Sequence, residues 1–69
     1  DRIIRAALAG TARARDRQII AAWIGAVYAG ETVTMRQIGA AYGVSESTAG
    51  VAVRRFVAVC EALREQWDG

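Results

Sequence analysis

An all-α fold, a small bundle of about four helices, is what three features of this 69-residue sequence predict. Apolar residues recur at three- and four-residue steps along most of the chain, and no segment alternates with period two for long enough to make a strand. There is no Pro and much Ala, a composition that suits closely packed helices. With 54% hydrophobic residues the chain can fill one small core and is too short for two, so residues 1-69 are expected to form a single domain. The apolar stretch from Ile19 to Ala29 is too short to cross a bilayer, so no membrane association is expected. The chain begins at Asp1 without Met and reads as a piece of a longer protein.

The first helix is expected over Arg2 to Ala9, with Ile3, Ile4, Ala7 and Leu8 on one side and Arg2 and Arg5 on the other. Gly10 and Thr11 end it, and Thr11 is a suitable cap for a second helix from about Ala12 to Ala29. Ile19, Ile20, Trp23, Ile24 and Val27 give that scaffold helix a broad apolar face. Its first turns carry Arg13, Arg15 and Arg17, where cations oppose the helix dipole at a cost of a few tenths to about 1 kcal/mol. Such a cluster invites an anionic partner; the plainer reading is a solvated first turn.

After the loop Gly30-Glu31-Thr32-Val33, the stretch Thr34 to Phe56, TMRQIGAAYGVSESTAGVAVRRF, reads as two helices joined by a three-residue corner. Thr34 caps a helix from about Met35 to Tyr42, with Ile38 and Tyr42 on one face, and Gly43 ends it in the left-handed conformation. Gly39 leaves room for a close crossing, and Val44 points back between the helices. Ser45 caps the last helix by accepting from the N–H of Ser47 or Thr48. That helix is expected to reach about Trp67, with Ala49, Ala52, Val53, Phe56, Cys60, Leu63 and Trp67 forming a continuous core stripe. Val57 and Val59 fall beside the stripe and suggest either burial against the first helix or a surface for a second protomer or an adjoining domain.

An apolar residue, a small one beside it, glycine at the turn, a β-branched residue and then a capping serine: this order resembles the helix-turn-helix of DNA-binding proteins. The match covers roughly a third of the chain. With RDRQII and the aromatic-bearing scaffold helix added, the sequence also looks like the last DNA-binding region of bacterial sigma factors, tetra-helical phage repressors and response-regulator output domains. Sigma-like recognition helices carry several basic or amide side chains, and the corresponding positions here are Glu46, Ser47, Gly50 and Val51.

The resemblance implies that the last helix enters the major groove of double-stranded DNA. If Ala49, Ala52, Val53 and Phe56 face inward, helical geometry turns Ser45, Glu46, Ser47, Gly50, Val51 and Arg54 outward as base-reading candidates. Arg54 suits a guanine, Glu46 a cytosine amino group and Val51 a thymine methyl; Glu46 has the alternative of stabilising the helix start. Gly50 inside a helix suggests close approach of backbone to DNA. Arg13, Arg15, Arg17, Thr34, Arg36, Gln37 and Arg55 are the phosphate-binding candidates.

Charge agrees with that reading. All nine basic residues are Arg, and residues 2-55 hold eight of them against Asp16, Glu31 and Glu46, a net of +5. Residues 56-69 hold Arg64 against Glu61, Glu65 and Asp68, a net of −2. A basic region carrying the two-helix motif is the electrostatic footprint of a phosphate-binding module. With no His, one Cys and no close acidic pair, no catalytic residues, metal site or cofactor are expected, and no Gly-rich loop follows a strand to cradle a nucleotide. Cys60 reads as a small buried hydrophobe, and a lone thiol fits a reducing cytoplasm, in a bacterial cell or a phage-infected one.

The expected function is sequence-specific duplex DNA binding by a phage or bacterial transcriptional repressor. The alternatives are a sigma-like promoter-recognition domain, the targeting domain of a recombinase or transposase, and a helical protein-interaction module. No small-molecule ligand is evident.

Overall fold

Among the described residues four helices, α1 (Arg2–Ala9), α2 (Ala14–Tyr28), α3 (Met35–Tyr42) and α4 (Glu46–Asp68), make up the fold. The computed structural model describes residues 2-11 and 13-68, with the side chains of Trp67 and Asp68 left aside. The expected helix start at Ala12 and the expected core role of the Trp67 side chain fall outside that description.

The bundle is organised on α4. At 23 residues it extends about 34 Å, close to the 38 Å long axis of the molecule, and α1, α2 and α3 all pack against it. Its stripe is buried where the periodicity places it, with Ala49, Ala52, Val53 and Phe56 all inside. Two adjoining apolar clusters result. One joins Ile19 of α2 and Ile38 of α3 to Ala49, Ala52 and Val53; the other joins Ala7 of α1 and Ile20 of α2 to Phe56, with Cys60 and Leu63 against it. Ile19 and Ile20, adjacent in sequence, therefore feed different clusters, while Trp23 and Val57 touch both and tie them together. The core contains no buried polar residue among those described, so burial of apolar area, at about 1.5–3 kcal/mol for each fully buried large side chain, is its source of cohesion.

Two expectations about α2 are corrected. Thr11 does not cap it: its hydroxyl donates to the carbonyl of Ala7 at 3.0 Å and so closes α1. The helix starts three residues after Thr11, with Arg13 in extended conformation at the cap position and no side chain bonded to the free N–H groups. Val27 belongs to the buried face by spacing and yet is 55% exposed, on the wall of an open groove near the end of α2. Tyr28 beside it is 72% exposed. Val57 and Val59 also part company: two residues on a helix are about 200° apart, and while Val57 is half-buried against both clusters, Val59 is exposed on another side of α4.

Candidate functional site

The junction of α3 and α4 is built almost wholly from local backbone chemistry. Thr34 accepts from the N–H of Gln37 at 3.1 Å, and the Gln37 Oε1 accepts from the N–H of Thr34 at 2.9 Å, a reciprocal box that satisfies both donors. At the other end Gly43 sits at φ 69°, ψ 30°, the left-handed region where a side chain is strained. The Gly39 carbonyl accepts from Gly43 N–H and, at 2.8 Å, from Val44 N–H. Ser45 then opens α4, its Oγ accepting from Thr48 N–H at 3.1 Å and donating to the Thr48 Oγ1 at 3.0 Å.

Gly39 is the tightest point of this junction. A Cβ there would lie 2.6 Å from the Val44 carbonyl oxygen and 3.1 Å from that of Ser45. The sequence suggests clearance for a crossing helix; the obstacle is instead the backbone of the corner itself, folded back over α3. Val44 meanwhile packs its side chain against the cluster of Ile19, Ile38 and Ala49, and anchors the corner from below.

With the stripe of α4 buried, Glu46, Ser47, Val51 and Arg54 are exposed on the first half of the helix. At about 100° per residue these positions, together with Gly50, span an arc of about 140° with Arg54 near its middle. Gly50 is half-buried, and a Cβ there would meet only Met35 Cγ at 3.8 Å, an ordinary contact, so the packing of the domain does not demand glycine at this position. Ser45 is exposed too, but its hydroxyl both accepts from and donates to Thr48, so its oxygen and proton are committed to the cap.

The arginines fall into two groups. Arg17 donates from Nη1 to the Thr11 carbonyl at 2.7 Å and braces the turn between α1 and α2. Arg36 lies 4.0 Å from Glu46 across the corner, both side chains mostly exposed, a pair that water screens to little stabilising effect. Thr34 and Gln37 are likewise engaged with each other. Among the described residues, by contrast, the side chains of Arg5, Arg13, Arg15, Arg54 and Arg55 make no hydrogen bond or ion pair. Arg13 and Arg15 from the start of α2 and Arg55 from α4 line one cleft of about 330 Å³, together with Asp16, Ser47 and Thr48. Val51 also borders it, so Ser47 and Val51 belong both to the exposed arc and to the cleft wall.

No family model, no curated protein and no solved structure matches this chain. Its functional reading therefore rests on the residues themselves.

On the opposite side of α4 an apolar groove of about 420 Å³ runs between α1, α2 and α4, walled by Ile4, Ile24, Val27, Tyr28 and Val57, with Glu61 and Arg64 at one edge. Cys60 also lines it; burial, aided by the neighbouring Glu61 carboxylate, pushes its thiol pKa up and keeps it in the neutral, weakly reactive form. Among the described residues no three His, Cys, Asp or Glu side chains are grouped to hold a metal ion, and no helix is long and apolar enough to cross a membrane.

Proposed function

We propose that this chain is a duplex DNA-binding domain of a phage or bacterial transcriptional repressor, working in the cytoplasm and placing the first half of α4 in the major groove. The observation that carries the reading is the pairing of a rigid corner with an exposed arc. Glu46, Ser47, Gly50, Val51 and Arg54 are held outward by the same helix whose other side is locked into the core, and unpaired arginines flank them. A reading element needs such fixed orientation, since base edges are discriminated by hydrogen-bond geometry.

In this arrangement Arg54 is the first candidate for a bidentate contact with guanine. Arg54→Ala is expected to cost about 1–3 kcal/mol on cognate DNA and to relax preference at one base pair. Arg13, Arg15 and Arg55 neutralise phosphates, and Arg17 and Arg36 have further guanidinium donors beyond the contacts they make within the domain. With about four phosphates neutralised, log K falls with log salt with a slope of about −3.6 per protomer, a loss of roughly 150-fold between about 50 and 200 mM salt. A mobility-shift titration with cognate and random duplex over that range tests the reading, and Arg64→Ala, at the distal end of α4, should leave the slope unchanged.

One observation favours a second reading, a helical protein-interaction module. The groove bearing exposed Val27 and Tyr28, with Val57 on its floor, offers apolar surface of the kind that contacts between subunits or domains cover. A salt slope near zero for the intact domain would favour it over DNA binding. The same groove, on the Val57 side of α4, is where a homodimer or adjoining domain would sit if the chain binds DNA as a pair; Val59 lies on another wall.

A further inference from the structure

We propose that the cleft between the start of α2 and the first half of α4 is a discrete phosphate site, which holds one phosphate group between Arg13, Arg15 and Arg55. Three arginines from the start of α2 and from α4, more than forty positions apart in the chain at their extremes, line one concavity in which Asp16 is the one acidic residue. Like charges gathered this way repel, and one carboxylate offsets them only in part: none of the three arginine side chains has a hydrogen bond or ion pair. Arg17 and Arg36, by contrast, are engaged with Thr11 and Glu46. Arg5 and Arg54 are unpaired as well, so it is the convergence of Arg13, Arg15 and Arg55 on one concavity, and not the lack of partners alone, that sets these three apart.

The other wall fits the same ligand. The Oγ1 of Thr48 accepts the Ser45 hydroxyl proton, which leaves its own hydrogen to donate elsewhere, and the Ser47 hydroxyl stands beside it on the cleft wall. Forked guanidinium donors and small hydroxyls are the set that recognises tetrahedral oxyanions, and three cations against one carboxylate leave about two positive charges to meet a phosphate. The cleft borders the reading arc through Ser47 and Val51, at the place a sugar-phosphate strand beside an occupied groove would pass. This last step rests on the DNA-binding reading; the phosphate chemistry of the cleft does not. A backbone phosphodiester and free phosphate share that chemistry, and two arms of one experiment tell them apart.

In the first arm, amide shifts of the domain are followed by NMR as sodium phosphate replaces sodium chloride at constant ionic strength. Saturable shifts are expected at Arg15, Ser47 and Thr48, weakened about tenfold in Arg55→Gln and in Arg13→Gln, and unchanged in Arg5→Gln, whose exposed site lies on α1 away from the cleft. Shifts that never saturate, or that Arg5→Gln weakens as much as Arg55→Gln, overturn the site. In the second arm a short duplex replaces phosphate. Arg55→Gln should flatten the salt slope by about 1 and weaken cognate and random duplex alike. Saturable phosphate binding without duplex binding upholds the cleft and removes the DNA reading. Duplex binding with an unchanged slope in Arg55→Gln, and no saturable phosphate binding, does the reverse.

Discussion

The N-terminal ends of α3 and α2 are opposites. At α3 the side chains of Thr34 and Gln37 close a reciprocal box on the first free N–H groups, and the next helix is capped in turn by Ser45. At α2 the cap position is held by Arg13, whose side chain accepts nothing, and Arg15 and Arg17 follow in the positive end of the helix. Asp16 is the only acidic residue in that first turn. One helix start is satisfied from within the chain; the other is left electropositive and open to solvent. The contrast teaches that local satisfaction is concentrated at the corner that fixes α3 against α4, while the scaffold helix begins with a charge pattern that Asp16 offsets only in part.

The sharpest way to break the first half of this comparison is Gly39→Ala. A methyl group 2.6 Å from the Val44 carbonyl oxygen meets backbone that cannot rotate aside, so the corner must open. A loss of about 2–3 kcal/mol in urea unfolding is expected. A change below about 0.5 kcal/mol would show that the corner is looser than its hydrogen bonds imply.

The two helix starts can also be set against each other by exchange of their chemistry. Thr34→Ala removes one arm of the box and should cost about 1 kcal/mol. Arg13→Asp does the opposite at α2, supplying an acceptor for the first-turn N–H groups and a favourable charge for the dipole, and should raise stability by about 0.5–1 kcal/mol. The same substitution places a carboxylate in the arginine cleft and should therefore weaken duplex binding while the domain becomes more stable. If Arg13→Asp destabilises instead, the start of α2 is not the unsatisfied end described above.

The smallest effect is expected at Gly50. Its replacement by Ala meets only the flexible side chain of Met35, at ordinary contact distance, and should add about 0.5–1 kcal/mol through helix propensity. A duplex titration then asks whether glycine serves the bound state: unchanged affinity in Gly50→Ala would end the argument that backbone approaches DNA at this position.

The same contrast explains what can be read from sequence. Thr34, Gly43 and Ser45 are legible because a cap is decided within four residues, and the α4 stripe because its spacing repeats over several turns. Thr11 is not, since its hydroxyl has carbonyls behind it and N–H groups ahead, and the Ala7 carbonyl wins. Gly39 announces a close approach without naming what comes close. Val27 fits an apolar face by spacing, but only the tertiary arrangement reveals that it stays more than half exposed. The gathering of Arg13, Arg15 and Arg55 is equally hidden, because no local pattern links the beginning of α2 to the middle of α4. Splitting the arginines into engaged and unengaged groups needs the hydrogen-bond partners of Arg17 and the corner position of Glu46.

One property of α4 constrains how this domain can change. Its exposed arc and its buried stripe are two sides of one uninterrupted 23-residue helix, so their relative phase is set by residue count alone. Inserting or deleting a single residue between Val51 and Phe56 rotates everything after it by about 100°, and would carry Arg54 toward the core or Phe56 toward solvent. Point substitutions on the arc leave that phase untouched. The exposed surface can therefore be altered one side chain at a time, whereas a one-residue change in helix length would unmake that surface and the core together.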